Sequence, residues 1–250
     1  LLALIATLGL AQFSHETTPA LAQLFFGTLA FHGLAALPFR PLGAPASLLV
    51  GLPGLALSGA PFTALIYGGW SLAALFTPGR PPHEAAVLRR ALASLAAAVL
   101  ATLALAWGLD LFRWQIAPWR THWGDWRSLG RLFLWFTWPL WPLVLWTLWR
   151  WRRQLPGPRQ HRHLGLPLMI ASVPLASTVT TLAGDRALLL ALPALAALAA
   201  FALPTFQRSA ASLIDWFTVL FFTGWAIVIW VLWVAMQTGV PAKPAANVAK

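Results

Sequence analysis

Apolar residues run along this chain in blocks rather than stripes. Continuous apolar stretches lie near 1–13, 20–37, 45–59, 61–77, 91–108, 132–149, 165–183, 187–205 and 212–237, separated by short polar or proline-containing joints. A helix apolar on one face belongs at the surface of a water-soluble core, whereas one apolar all round is surrounded by other helices or by lipid. About twenty apolar residues are needed to cross a bilayer, with a working range of about 17–25. The Leu/Ala runs have no period of two, so a transmembrane barrel is the poorer solution to backbone hydrogen bonding in hydrocarbon. The pattern predicts an all-α fold, a polytopic transmembrane helix bundle of about 8–9 spans. The third and fourth blocks are short and are interrupted by Pro53, Gly54, Gly59 and Pro61, which predicts a helical hairpin or a partly re-entrant pair. The first block is cut short. Its alternative reading, a signal-peptide core, lacks a basic leader and a small-residue cleavage site.

Composition agrees with lipid as the solvent. Hydrophobic residues make up 59% and charged residues 9% of the chain, and the mean hydropathy is +0.72, against roughly 25% charged in soluble domains. There is no cysteine, so disulfide frameworks and cysteine metal sites are excluded. A net charge of +11 would suggest a nucleic-acid partner in a soluble protein, but here the arginines are dispersed among loops beside apolar spans and form no patch. They alternate. Arg40, then Arg80, Arg89 and Arg90, then Arg150, Arg152, Arg153, Arg159 and Arg162, then Arg208 occupy every second loop, and the positive-inside rule places those loops in the cytoplasm. The loops at 14–18, 109–131 and 184–186 and the C-terminal tail then face outward. The expected organisation is a transmembrane module over 1–238, read as a fragment of a longer protein, followed at 239–250 by the start of an outward tail or soluble C-terminal region. A multi-pass protein of a bacterial inner membrane is the expected setting.

The 109–131 loop breaks the charge rule. It is read as outward, yet it mixes Arg113, Arg120, Arg127 and Arg131 with Trp114, Trp119, Trp123 and Trp126. Tryptophan favours the headgroup layer, and guanidinium groups pair with phosphates there. The loop is expected to be an amphipathic interfacial segment in contact with membrane lipids. An aromatic belt without ligand specificity is the plainer alternative.

A longer order of features carries a resemblance. An outward amphipathic loop is followed by the aromatic and proline-rich LFLWFTWPLWPLVLWTLW, the basic RWRRQLPGPRQHRH, an apolar helix, and a short turn with Arg186 leading into ALLLALPALAALAAFALP. Over about 109–205 this resembles the C-terminal half of the membrane module in the PMT-like C-type glycosyltransferases, the superfamily of protein O-mannosyltransferases and of the aminoarabinose transferases that modify lipid A (glycosyltransferase family 39-like). Arg186, then Leu192, Pro193, Ala194 and Leu195, then Ala196–Ala200 match the family's basic residue and Leu-Pro helix. Leucines 188–190 stand where the family has a tyrosine, and its second proline is absent. The resemblance implies transfer of a sugar from a polyprenyl-phosphate donor to a lipid or protein acceptor on the outer, periplasmic face. It also places the family's catalytic acidic residue upstream of this segment, so the catalytic residue here is unknown, with Glu16 a weak candidate.

Several residues are candidates for binding substrate. Arg186 can hold a lipid phosphate bidentately with Asp185 orienting it, although an Asp185–Arg186 cap on a tight Gly184 turn explains the pair without a ligand. Arg120, Arg127 and Arg131 are candidates for the same phosphate. His15 beside Glu16 could assist a base, against the plainer reading of a solvated loop before Pro19. His122 and Asp125 offer two ligands to a divalent cation, too few to define a site, so no metal residue is assigned and no cofactor is firmly implied. His32, within the second block, is expected to make an interhelical hydrogen bond. The glycines of LVGLPGLALSGAP (49–61) are expected to serve close helix packing. No Walker, Rossmann, nucleophile-elbow or zincin motif occurs. A transporter and a non-catalytic membrane scaffold remain as alternatives. The former is disfavoured by the scarcity of polar residues at mid-membrane positions.

Overall fold

The computed structural model describes residues 2–13, 18–40, 43–75, 85–112, 122–154, 162–180, 184–205 and 208–239. Every regular element among them is helical: α1 (Leu2–Ile5), α2 (Leu8–Phe13), α3 (Pro19–Ala36), α4 (Gly43–Leu57), α5 (Pro61–Leu75), α6 (Ala85–Gly108), α7 (Trp123–Phe136), α8 (Leu140–Arg150), α9 (Arg162–Thr180), α10 (Gly184–Leu189), α11 (Leu192–Ala200) and α12 (Arg208–Thr238), with a 3-10 turn at Leu203–Thr205. The chain forms two compact units, Leu1–Ala202 and Leu203–Lys250.

In the first unit α4 is central. Leu48, Leu52 and Leu55 are fully buried, and α4 packs against α3, α5 and α6. Small residues permit the approach. A Cβ added at Gly51 would stand 2.6 Å from the Ala30 backbone nitrogen, and one at Gly54 would enter the Phe26 ring, so the glycines of 49–61 serve close packing as expected. His32 on α3 makes a long contact of 3.4 Å from Nδ1 to Ser47 Oγ on α4, the interhelical pairing read from the sequence. The Gln23 amide on α3 donates to the Ser58 carbonyl at 2.8 Å, closing the turn after α4. The second half of this unit is built from α8, α9, α10 and α11, with α9 against α10 and α11, and α11 against α8.

Helix ends follow local chemistry. Pro19 opens α3 at a position where its missing N–H costs nothing. Gly59, at φ +104°, turns the chain between α4 and α5. Asp110, at φ 50°, ends α6, where the Leu111 N–H reaches back to the Ala106 carbonyl at 2.9 Å in the manner of a Schellman cap. Pro53 does not break α4, which runs through it.

Among the described residues four helices are long and apolar enough to cross a membrane, within α3, α6, α9 and α12, or five if α7 and α8 form one bent span. The block at 1–13 divides into α1 and α2. The hairpin expected at 45–77 exists as α4 and α5, but at 15 residues each these helices reach only about 22 Å, short of the roughly 30 Å hydrocarbon layer. The block at 132–149 is bent by 90° between α7 and α8, around Pro139. The block at 187–205 breaks at Leu190–Ala191 into α10 and α11. Of the amphipathic interfacial segment expected over 109–131, residues 113–121 lie outside the described residues; α7 begins at Trp123 and continues to Phe136, five residues into the next apolar block.

In the second unit, α12 exposes Trp216, Leu220, Trp225, Ile229, Trp230 and Trp233. A ladder of rings, Phe217 on Phe221 and Phe221 against Trp225, follows the four-residue repeat of one helix face.

Candidate functional site

Three of the predicted residues fall on two helices that touch. Arg186 is the third residue of α10, Arg127 and Arg131 lie on α7, and α10 packs against α7, α9 and α3. The anchor of α10 is its apolar C-terminal half, since Leu188 and Leu189 are fully buried while Arg186 remains exposed. Arg186 thus stands at the exposed end of a six-residue helix whose leucine end is buried. Asp185 belongs to α10 in its backbone trace, while its side chain lies outside the described residues, as do His15, Glu16 and Arg120.

α7 has three sectors. Leu129 and Phe136 are buried, with Leu132 and Phe133 packed against the same core, and Phe136 fills the space over Gly9 of α2. Trp123, Trp126 and Leu134 are exposed apolar residues on a second strip. Arg127, Ser128 and Arg131 are exposed on a third. Helical spacing sets the two arginines one turn apart, on the far side from Leu129 and Phe136. The elbow after α7 is tied to the start of α2. Pro142 has no N–H to give the Trp138 carbonyl, and the Leu8 N–H, itself an unsatisfied helix-start donor, takes that carbonyl at 3.2 Å.

Among the described residues five buried polar atoms lack hydrogen-bond partners: Thr18 Oγ1 at the start of α3, Ser71 Oγ in α5, Trp141 Nε1 in α8, and Trp151 Nε1 and Gln154 Oε1 after it. Among the described residues no group of three or more His, Cys, Asp or Glu converges. His122 immediately precedes α7 without capping it through its side chain, and Asp125 sits exposed in the first turn.

Arg40, Arg89, Arg90, Arg150, Arg152 and Arg153 are exposed. The Arg152 guanidinium donates to the Trp149 carbonyl at 2.9 Å and lies 5.2 Å from the Trp149 ring centroid, a cation held over an aromatic ring.

Sequence reading missed the polar ties that hold these elements in place, Tyr67 to Ile170 and Thr147 to Leu198. A signal for the first was present in the spacing: Pro174 stands four residues after Ile170 and so deprives its carbonyl of a donor. Nothing in the spacing named the donor on another helix.

Fold and composition thus define the class as a protein that is all-helical among the described residues, with four or five helices long and apolar enough to span a membrane. Comparison with family models, curated proteins and solved structures finds no match for this chain.

Proposed function

We propose that this chain is part of a membrane glycosyltransferase that moves a sugar from a polyprenyl-phosphate donor to a lipid or protein acceptor at the outer face of a bacterial inner membrane. The observation that carries this reading is the position of Arg186: exposed on a short helix whose other end is buried. A glycosyl phosphate leaves readily once its developing charge is neutralised, and a guanidinium supplies two parallel hydrogen bonds to the departing oxygens. In this reading the half-length helices α4–α5 and α10–α11 supply further partial crossings, giving the alternation of basic loops an eight- or nine-segment traverse. The 90° angle between α7 and α8 supports α7 lying along the surface while α8 enters the bilayer.

The test is Arg186→Ala in the full-length protein, assayed for sugar release from a polyprenyl-phosphate donor. Loss of turnover by about a hundredfold is expected for one transition-state contact, with Arg186→Lys intermediate because it keeps the charge and loses the fork. Unchanged turnover at normal membrane abundance removes the assignment.

A further inference from the structure

We infer that α7 is a docking helix for anionic phospholipid headgroups, held through Arg127 and Arg131; this rests on α7 lying at the membrane surface. The two guanidiniums are exposed, and neither has a hydrogen bond, ion pair or ring contact among the described residues. They stand one helical turn apart on the same face, a like-charge arrangement that an isolated helix disfavours and that a shared anion reverses. Immediately beside them runs the exposed strip of Trp123, Trp126 and Leu134, with Trp123 at 82% and Leu134 at 52% exposure. Exposed apolar side chains next to two exposed cations suit the acyl-to-headgroup boundary, where indole and leucine enter the chains and guanidinium reaches the phosphate layer.

The packed residues Leu129 and Phe136 face the bundle, and the arginines face away from it. A free phosphate would satisfy the charges alone. Only a lipid satisfies the charges and the apolar strip together, so the occupant is a phospholipid with net negative charge, such as phosphatidylglycerol.

The chain has no cysteine, so Ser128→Cys on exposed α7 accepts a single environment-sensitive fluorophore. The labelled full-length protein is placed in phosphatidylcholine nanodiscs with increasing phosphatidylglycerol. A saturable spectral shift is expected, weakened about fivefold by Arg127→Gln or Arg131→Gln and about twenty-five-fold by both, as follows from about 1 kcal/mol per basic residue at an anionic surface. Glycerol phosphate in solution should not reproduce the shift. Quenching of the same label by headgroup-depth nitroxide lipid in phosphatidylcholine alone tests the underlying position. Quenching without any phosphatidylglycerol dependence, or a shift reproduced by soluble glycerol phosphate, overturns the lipid assignment and leaves the surface position standing. A label that no lipid quencher reaches overturns both.

Discussion

The Tyr67 hydroxyl on α5 donates a 2.8 Å hydrogen bond to the Ile170 carbonyl on α9, across 103 residues of chain. That carbonyl is the one Pro174 leaves without its helical donor. Tyr67 is 1% exposed, and it is the chain's single tyrosine. A proline thus weakens one helix where another helix holds the replacement donor, and the two halves of the first unit are joined at that point.

Tyr67→Phe should therefore destabilise the protein by about 1 kcal/mol or somewhat more, by stranding a buried carbonyl. Pro174→Ala restores a donor within α9, and in that background Tyr67→Phe should cost much less. Thermal unfolding of the four proteins in detergent measures the coupling, and additive effects would show that the bond does not compensate the proline.

Thr147→Val should cost less than Tyr67→Phe. The Thr147 hydroxyl reaches the Leu198 carbonyl at 2.8 Å, but that carbonyl also accepts the Phe201 N–H at 3.1 Å. Removing one of two donors leaves the group satisfied. The same unfolding series checks the order, and equal losses would contradict it.

Gly51→Ala should destabilise by about 1–3 kcal/mol, because its new Cβ meets the Ala30 backbone and forces α3 from α4. Gly69→Ala in α5 meets nothing within 4 Å and should stabilise by about 0.5–1 kcal/mol through helix propensity. Opposite signs in one unfolding assay distinguish packing glycines from tolerated ones.

Single cysteines at Ser128 and Arg152 should react with a membrane-impermeant maleimide from opposite sides of intact inner membrane. Ser128→Cys should label when the periplasmic face is presented, and Arg152→Cys only after the cytoplasmic face is opened. Labelling of both from one side would reverse or break the sidedness drawn from the arginine loops.

Much of the fold was legible because lipid imposes a condition on single residues. Blocks such as 20–37 and 91–108 are apolar on every face, and each became part of a helix with a membrane-length apolar window, in α3 and α6. The block 187–205 was not legible as two helices. A run of Leu and Ala is compatible with one rod or two, and the break at Leu190–Ala191 depends on how α10 and α11 fit against α9 and α8. The bend at 137–139 was missed similarly: Pro139 and Pro142 were visible, but the Leu8 N–H that donates to the Trp138 carbonyl lies on α2. Of the candidate site, the residue types and exposure of Arg127, Arg131 and Arg186 were readable, while the packing of α7 on α10 was not.

The sequence by itself determined that the chain is helical, that its helices have the character of membrane spans, and where its arginines interrupt them. These are one-body matters between a residue and its solvent, summed along the chain. Only the tertiary structure decided where apolar runs break, which glycines are indispensable, and which distant hydroxyl or amide serves each carbonyl that a proline leaves bare. Those are pair matters: a hydrogen bond or a van der Waals contact exists only when two particular groups arrive together, and Tyr67 and Ile170 meet through folding rather than through neighbourhood.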